Sequence, residues 1–269
     1  MSGPPRDPWL ALGASTPARI AIGRAGASLP TREVLSFALA HAQARDAVHA
    51  DFDAAKLAAQ LRQLGLAEVL DVASQAIERD HYLARPDLGR RLDAASSAQL
   101  TAKSGGECDL VLMIGDGLSS TAVTAHAVAV IQAFLPHAVR LRLSLGPAVV
   151  ARGARVALGD EVGAVLKARL VAVLIGERPG LSAADSLGIY LTHTPRPGRN
   201  DAERNCISNV RPAGLAPEAA AARLAWLVEA AIARGLTGVD LKDDSGVLGG
   251  RNGSGIAALS ADWVRRGDD

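Results

Sequence analysis

Two polar side chains that could bind a ligand lie in the loop after the apolar run Asp109-Leu-Val-Leu-Met-Ile114. The loop reads Ile114-Gly-Asp-Gly-Leu-Ser-Ser-Thr121, and a helix is predicted to begin within it. In open α/β sheets, ligands bind at the carboxyl ends of strands, where helix N-termini present free N–H groups. Asp116 and Ser119 could hydrogen-bond a polar ligand there, or they could serve an ordinary βα turn with a serine cap. The loop is neither a P-loop nor a Gly-x-Gly-x-x-Gly motif.

A second loop, Ile175-Gly-Glu-Arg-Pro-Gly180, follows another apolar run in the same way. Glu177 could be a fixed acceptor and Arg178 a fixed donor, although a solvated turn with an ion pair is the more common arrangement. Since the carboxyl ends of parallel strands lie at one edge of a sheet, both loops are expected to line that edge. Two such loops at one edge of the sheet indicate a ligand site more strongly than either loop alone.

The remaining candidates for chemistry are a cysteine and a polar helix face. Cys206 begins the run Cys206-Ile-Ser-Asn-Val210, and a buried structural cysteine is the usual interpretation. No Cys or His stands near it at metal-ligand spacing, so no zinc site is predicted. His41 and His49 are about 12 Å apart by helical rise, too far to share one metal ion. With Arg45 they form either a solvated face or a surface for another subunit.

Charge and hydropathy exclude several classes of partner. With 29 basic and 28 acidic residues the net charge is +1, which gives no case for nucleic acid. The basic cluster of Arg85, Arg90 and Arg91 has no interleaved aromatic residues and is interpreted as a salt-bridged loop. Two cysteines are too few for a disulfide framework. Two basic residues interrupt the apolar stretch Val162–Gly176, so no membrane span is predicted and the chain is expected to be cytoplasmic.

The N-terminal part of the chain is predicted to be an arm followed by helices. Residues 1–30 are rich in Gly, Pro and Ala, which is typical of an extended arm with turns. The first predicted helix carries an apolar stripe that includes Val34, Leu35 and Leu39. The small, polar segment 94–106 is interpreted as an interdomain connection. Three helices are predicted. The first begins at Thr31, the second runs from about Ala54 to Leu64, and the third runs from about Ala67 to Glu78.

Beyond residue 105, apolar runs of strand length alternate with helical segments. Such strands, apolar on both faces, indicate a mostly parallel sheet. The fold class is therefore α/β: a helical N-terminal domain and a Rossmann-like, mostly parallel sheet domain covered by helices on both faces. The predicted domains are 1–95, 105–242 and a flexible, glycine-rich tail at 243–269. The predicted strands are Asp109–Ile114, Ala148–Ala151, Arg169–Ile175, Leu187–Thr192, Cys206–Val210 and a short one at Val239–Leu241.

Seven blocks of sequence, in order, resemble the small (light) subunit of ethanolamine ammonia-lyase from Asp7 to about Asp244. The resemblance covers nearly the whole chain. Each block is short, but seven in the same order are specific. The blocks are Asp7-Pro-Trp, Ala18-Arg-Ile-Ala-Ile-Gly-Arg-Ala-Gly with Ser28-Leu-Pro-Thr, Ala40-His-Ala-Gln-Ala-Arg-Asp-Ala-Val-His, Tyr82-Leu-Ala-Arg-Pro-Asp-Leu-Gly-Arg-Arg, Gly115-Asp-Gly-Leu-Ser-Ser-Thr-Ala, Gly176-Glu-Arg-Pro-Gly-Leu and Arg204-Asn-Cys-Ile-Ser-Asn.

The resemblance implies a subunit of an enzyme that converts ethanolamine to acetaldehyde and ammonia with adenosylcobalamin. In that family the cofactor lies between the large and small subunits of a hetero-oligomer, and the radical chemistry belongs to the large subunit. The small-subunit contacts to the corrin ring map onto Val156, Glu177 and Cys206. Glu177 would accept a hydrogen bond from a corrin amide, while Val156 and Cys206 would pack against the ring. The resemblance implies no catalytic residue and no cobalt ligand in this chain.

Alternatives from other functional classes follow from the same residues. The chain could be a stand-alone Rossmann-like enzyme that uses Asp116 and Glu177 on a nucleotide-like substrate. It could also be a scaffolding module that binds the large subunit without touching the cofactor. Family members sent to bacterial microcompartments often begin with an amphipathic helix, whereas this sequence reaches Asp7-Pro-Trp almost at once. The family resemblance thus leaves a bacterial microcompartment open as a second location, although no targeting helix is predicted in this sequence.

Overall fold

The computed structural model describes residues 13, 16, 18–76 and 78–245 of the chain. Within these residues the structure has seven α-helices, six strands and two short 3₁₀ turns. The block at Asp7 and most of the expected tail lie outside the described residues. The elements are α1 (Thr31–His49), α2 (Ala54–Gln63), β1 (Val69–Ala73), α3 (Arg79–Ala84), α4 (Ala94–Lys103), β2 (Cys108–Gly115), α5 (Ser120–Arg140), β3 (Ala148–Arg152), α6 (Leu158–Val165), β4 (Ala168–Gly176), β5 (Leu187–His193), β6 (Arg204–Val210) and α7 (Pro217–Arg234).

The six strands form one mixed sheet in the order β1-β3-β2-β4-β5-β6. The pairs β1–β3, β3–β2 and β2–β4 are parallel, and the pairs β4–β5 and β5–β6 are antiparallel. In the centre, Ile114 of β2 lies between Val150 of β3 and Leu174 of β4. The carboxyl ends of β1 to β4 therefore share one edge, and the α/β class with a mostly parallel sheet is confirmed.

Helices cover both faces of the sheet. Alternate side chains of β2 point to opposite sides: Leu112 belongs to one core cluster and Met113 to the other. The first cluster packs the sheet against α2, α5 and α7, with Phe134 fully buried. The second packs it against α4 and α6, with Leu158 fully buried. Strands buried on both sides are the reason that these segments read as continuous apolar runs.

Helix α5 is long and apolar enough, by length and composition, to cross a membrane. Nine of its residues are buried, and most of these belong to the larger core cluster. Burial against a sheet is the ordinary environment of such a helix. The buried stripe, with Val123, Val130 and Phe134, is what gives α5 its high hydropathy.

Two predictions of local structure are wrong because short apolar runs do not distinguish helix from strand. The segment predicted as a helix from Ala67 to Glu78 contains the strand β1, which pairs with β3. Val69 faces one core cluster and Leu70 the other, which is the period of a buried strand. The predicted short strand at Val239–Leu241 is instead a turn.

The predicted interdomain connection at 94–106 is also wrong over most of its length. It contains helix α4, whose first turn is capped because the Asp93 side chain accepts a hydrogen bond from the Ser96 amide. Leu100 anchors α4 in the second core cluster. The proposed division of the chain into domains 1–95 and 105–242 stays a prediction. In the structure, β1 from the first of these segments joins the same sheet as strands from the second.

The apolar stripe of α1 does not face the core of this chain. Val34, Leu35 and Leu39 are 48%, 64% and 60% exposed, whereas the buried residues of the helix are Ala40 and Ala47. The helix therefore packs on the rest of the chain through its small side chains. Its larger apolar side chains remain open, so the stripe predicted the helix correctly but not the face that the chain buries.

Candidate functional site

The loops that follow β2 and β4 meet at the carboxyl edge of the sheet. The Leu118 amide donates a hydrogen bond to the Gly176 carbonyl at 2.9 Å. A Cβ atom on Gly117 would overlap the Gly176 backbone, and one on Gly176 would overlap the Ser119 backbone. Gly117 also has a φ of +60°, in the left-handed region that favours glycine. The expectation that both loops line one edge is confirmed.

These loops border an open concavity of about 390 Å³. Val156 and Glu177 both line it, together with Leu118, Ile175 and Tyr190. Two of the three residues predicted from the resemblance are therefore brought to one surface. The third, Cys206, lies on β6 directly opposite Tyr190 of β5.

The Glu177 carboxylate is fixed by three hydrogen bonds. Ser208 Oγ donates to Oε1 at 2.6 Å, and both Ser186 Oγ and the Asn209 amide donate to Oε2. The alternative in which Glu177 forms an ion pair with Arg178 is wrong, because the described residues contain no such pair. A carboxylate has about four acceptor positions. Glu177 therefore keeps one acceptor position, on Oε1, for a ligand.

Cys206 is exposed, contrary to the expectation of a buried structural cysteine. Loss of water around its sulfur raises the pKa of the thiol above its ordinary value; Tyr190 opposes this rise, and the nearby Glu177 charge adds to it. A thiol that stays protonated is a poor nucleophile and a poor metal ligand. The described residues contain no cluster of three His, Cys, Asp or Glu side chains that could hold a metal ion.

Val156 lies in the turn between β3 and α6, and the Asp116 carboxylate holds this turn in place. Oδ1 accepts from the Gly117 amide at 2.9 Å and from the Ala154 amide at 2.8 Å, and Oδ2 accepts from the Gly153 amide at 3.0 Å. Burial raises the pKa of Asp116, and these N–H groups oppose that rise. Asp116 therefore serves the chain itself rather than a ligand.

For Ser119 as well, the loop after β2 is confirmed as an ordinary βα turn with a serine cap. Ser119 Oγ accepts from the Ala122 amide at the start of α5 and donates to the Ala184 carbonyl at 2.9 Å. Asp116 lines a different cavity of about 490 Å³, which does not include Glu177. The structure therefore does not bring Asp116 and Glu177 together, as a stand-alone enzyme using both would require.

Tyr82 and Arg155 are site residues that the sequence did not single out. Tyr82 is buried, and its hydroxyl donates to the Ala154 carbonyl at 3.1 Å. The Arg155 guanidinium lies 4.1 Å from the centre of the Tyr82 ring and donates to the Tyr82 carbonyl at 2.9 Å. Both residues line the concavity. These contacts join residues more than seventy positions apart, so no local pattern indicates them.

The family comparison covers most of the chain. A family model described as Ethanolamine ammonia-lyase light chain (EutC) matches residues 6–242. The ethanolamine ammonia-lyase small subunit of Bradyrhizobium diazoefficiens is 57% identical over 248 residues, which are 91% of this chain and 95% of that protein.

Two further relatives have the same name. The small subunit of Rhodopseudomonas palustris is 59% identical over 230 residues, which are 86% of this chain and 88% of that protein. The one from Xanthomonas campestris pv. campestris is 54% identical over 245 residues, which are 90% of each chain. These matches confirm the resemblance inferred from the seven sequence blocks, and the chain belongs to the ethanolamine ammonia-lyase light chain family.

Proposed function

We propose that this chain is the small subunit of an adenosylcobalamin-dependent ethanolamine ammonia-lyase, located in the cytoplasm. It forms one wall of the cobalamin site, while a large subunit binds ethanolamine and carries out the radical reaction that yields acetaldehyde and ammonia. The observation that supports this most is the shared concavity of Val156 and Glu177 at the carboxyl edge of the sheet.

The residues of the concavity suit a corrin ring with amide substituents. Cofactor sites combine apolar walls with a few fixed polar groups. Val156, Leu118 and Ile175 supply apolar surface, and Glu177 offers one open acceptor position beside them. An amide N–H of the ring could donate to that position. Cys206, exposed on β6, adds surface next to Tyr190.

The size of the concavity favours one wall rather than a complete site. A space of about 390 Å³ that opens to solvent is too small to enclose a molecule as large as cobalamin. A second protein surface must then cover the other side of the cofactor. When bound, the cofactor supplies the weak cobalt–carbon bond that starts radical chemistry, and this chain's residues hold the ring, orient it and exclude water from it.

The exposed face of α1 supports a protein partner. Val34, Leu35 and Leu39 are all about half exposed or more, and Phe37 on the same helix is 48% exposed. Contiguous apolar surface of this kind marks interaction sites in soluble proteins. We assign this face to the large subunit. The polar side of α1 with His41, Arg45 and His49 would then stay in solvent or lie at the rim of the interface.

We expect acetaldehyde to form from ethanolamine and adenosylcobalamin only when this chain is mixed with its large subunit. Neither chain alone should be active, because each supplies only part of the cofactor site. Acetaldehyde is measured by coupled reduction, and the mixture is checked for a complex by size-exclusion chromatography. Activity of this chain alone would instead favour a stand-alone enzyme, and a stable complex without activity would mean that the reaction is a different one.

Glu177→Gln is expected to weaken cobalamin binding to the mixed complex by about tenfold or more. In the variant, the glutamine oxygen should take the place of Oε2, because there it accepts from the Asn209 amide. The glutamine NH₂ group then replaces Oε1, so a donor faces the concavity instead of an acceptor. Affinity is measured by equilibrium dialysis, and assembly by size-exclusion chromatography.

The matched control is Glu218→Gln, the same chemical change on an exposed residue of α7. It should leave affinity unchanged. If Glu177→Gln, Val156→Ala and Cys206→Ala all keep normal affinity and assembly, the chain acts as a scaffold and not as a wall of the cofactor site.

A further inference from the structure

Two cationic side chains without acidic partners line the concavity. Arg155 and Arg178 both border it, and neither forms an ion pair with any described residue. Glu177, the only acidic residue that lines the concavity, is held by two hydroxyls and an amide instead. The concavity therefore has one more positive charge than negative charges.

Arginines that line the neighbouring cavities form ion pairs, whereas Arg155 and Arg178 do not. Arg79 lies 3.8 Å from Asp116, and Arg211 donates to Asp185 at 2.9 Å. A guanidinium left unpaired beside low-dielectric walls attracts an anion, because such walls focus the field of the charge. Its planar array of N–H donors matches the oxygens of a phosphate group.

Arg155 is held in a fixed position. Its guanidinium stacks on the buried Tyr82 ring, and Nη2 is bound to the Tyr82 carbonyl. No hydrogen bond among the described residues uses Nη1. Arg178, by contrast, is exposed on the loop after β4. One cation is thus held in place and partly buried next to Val156, and the other is exposed at the rim, next to Glu177.

We propose that Arg155 and Arg178 form an anion subsite that binds a phosphate ester of the ligand. This inference rests on the proposed function, and it assigns to the subsite the phosphodiester in the nucleotide tail of cobalamin. Val156 and Glu177 then hold the corrin ring and its amides, while the two arginines hold the tail. Arg155 contributes hydrogen bonds and charge at a fixed distance, and Arg178 contributes mainly charge.

The test compares two probes that differ by the phosphate alone, adenosylcobinamide phosphate and adenosylcobinamide. Their affinities for the complex with the large subunit are measured by equilibrium dialysis, with cobalamin as the reference ligand. The wild-type complex should bind the phosphorylated probe about tenfold more tightly, and higher salt should reduce this preference. Arg155→Gln should remove most of the preference and Arg178→Gln part of it, because each variant should weaken binding of the phosphorylated probe more than binding of adenosylcobinamide.

Arg140→Gln is the control for net charge, because Arg140 lies at the exposed end of α5 and outside the concavity. This variant should keep the full preference for the phosphorylated probe. Arg178 is exposed and forms no ion pair with any described residue, so its variant should fold normally, and loss of preference would reflect loss of the anion subsite. Equal wild-type affinity for both probes, or variants that weaken both probes equally, would overturn the subsite while leaving the proposed function intact. Failure of the wild-type complex to bind cobalamin would overturn the proposed function itself.

Discussion

Arg204→Met is expected to lower the free energy of unfolding by about 3–5 kcal/mol. Arg204 and Asp160 form a bidentate pair at 2.6 and 2.7 Å, and both side chains are only 2% exposed. Methionine fills similar volume but leaves the Asp160 carboxylate buried without its partner. Urea unfolding followed by circular dichroism measures the loss.

The loss of unfolding free energy in Arg204→Met should depend on pH. Burial raises the pKa of Asp160 above its ordinary value of 3.8, and the hydrogen bonds from Arg204 oppose that rise. Without Arg204 the pKa in the folded state rises further, so the folded state holds its proton where the unfolded state has released it. Stability of the variant relative to wild type should then fall as pH rises above the folded-state pKa of Asp160 in the wild type, which already lies above 3.8.

Two variants separate the buried pair from an ordinary surface pair. Arg152→Met removes an exposed partner of Asp71 at 3.4 Å and should cost no more than about 1 kcal/mol. Adding Asp160→Leu to Arg204→Met should recover much of the loss, because an apolar pair needs no charge compensation. Similar losses for Arg204→Met and Arg152→Met would show that Asp160 tolerates burial alone.

The centre of the sheet could be predicted from sequence because its strands are buried on both faces. β2 and β4 read as continuous apolar runs, and the loops after them carry polar residues at the edge where parallel strands end. This pattern correctly predicted that Glu177 lies at the carboxyl edge of the sheet. The edge strand β1 could not be predicted in the same way, since the polar Asp71 interrupts its apolar run and the remaining pattern does not exclude a helix.

Contacts between distant parts of the chain could not be predicted from local patterns. Arg204 reaches back 44 positions to Asp160, and the position of Cys206 opposite Tyr190 depends on strand register. What covers the open face of α1 could not be predicted for a related reason. An apolar stripe shows that a surface is to be buried, but not whether this chain or a partner buries it.

Asp116→Asn is expected to reduce both stability and cobalamin affinity. Its two carboxylate oxygens accept N–H groups of Gly117, Gly153 and Ala154, with donors on both sides. Asparagine replaces one acceptor by an NH₂ group that faces a backbone N–H. At least one buried N–H loses its partner, which costs about 1–3 kcal/mol. The turn that carries Val156 is then released, so the loss should extend to the ligand site.

Asp53→Asn is the matched control, because the Asp53 side chain accepts a single amide, from Lys56, and asparagine caps helices as well as aspartate does. It should change stability by less than about 0.5 kcal/mol. Urea unfolding and cobalamin dialysis on both variants distinguish Asp116 from Glu177, whose glutamine variant should lose affinity at nearly unchanged stability. If Asp116→Asn kept its stability but lost affinity, the carboxylate would face a ligand after all. Loss of both is expected, because the hydrogen bonds of Asp116 all go to the two loops that shape the concavity.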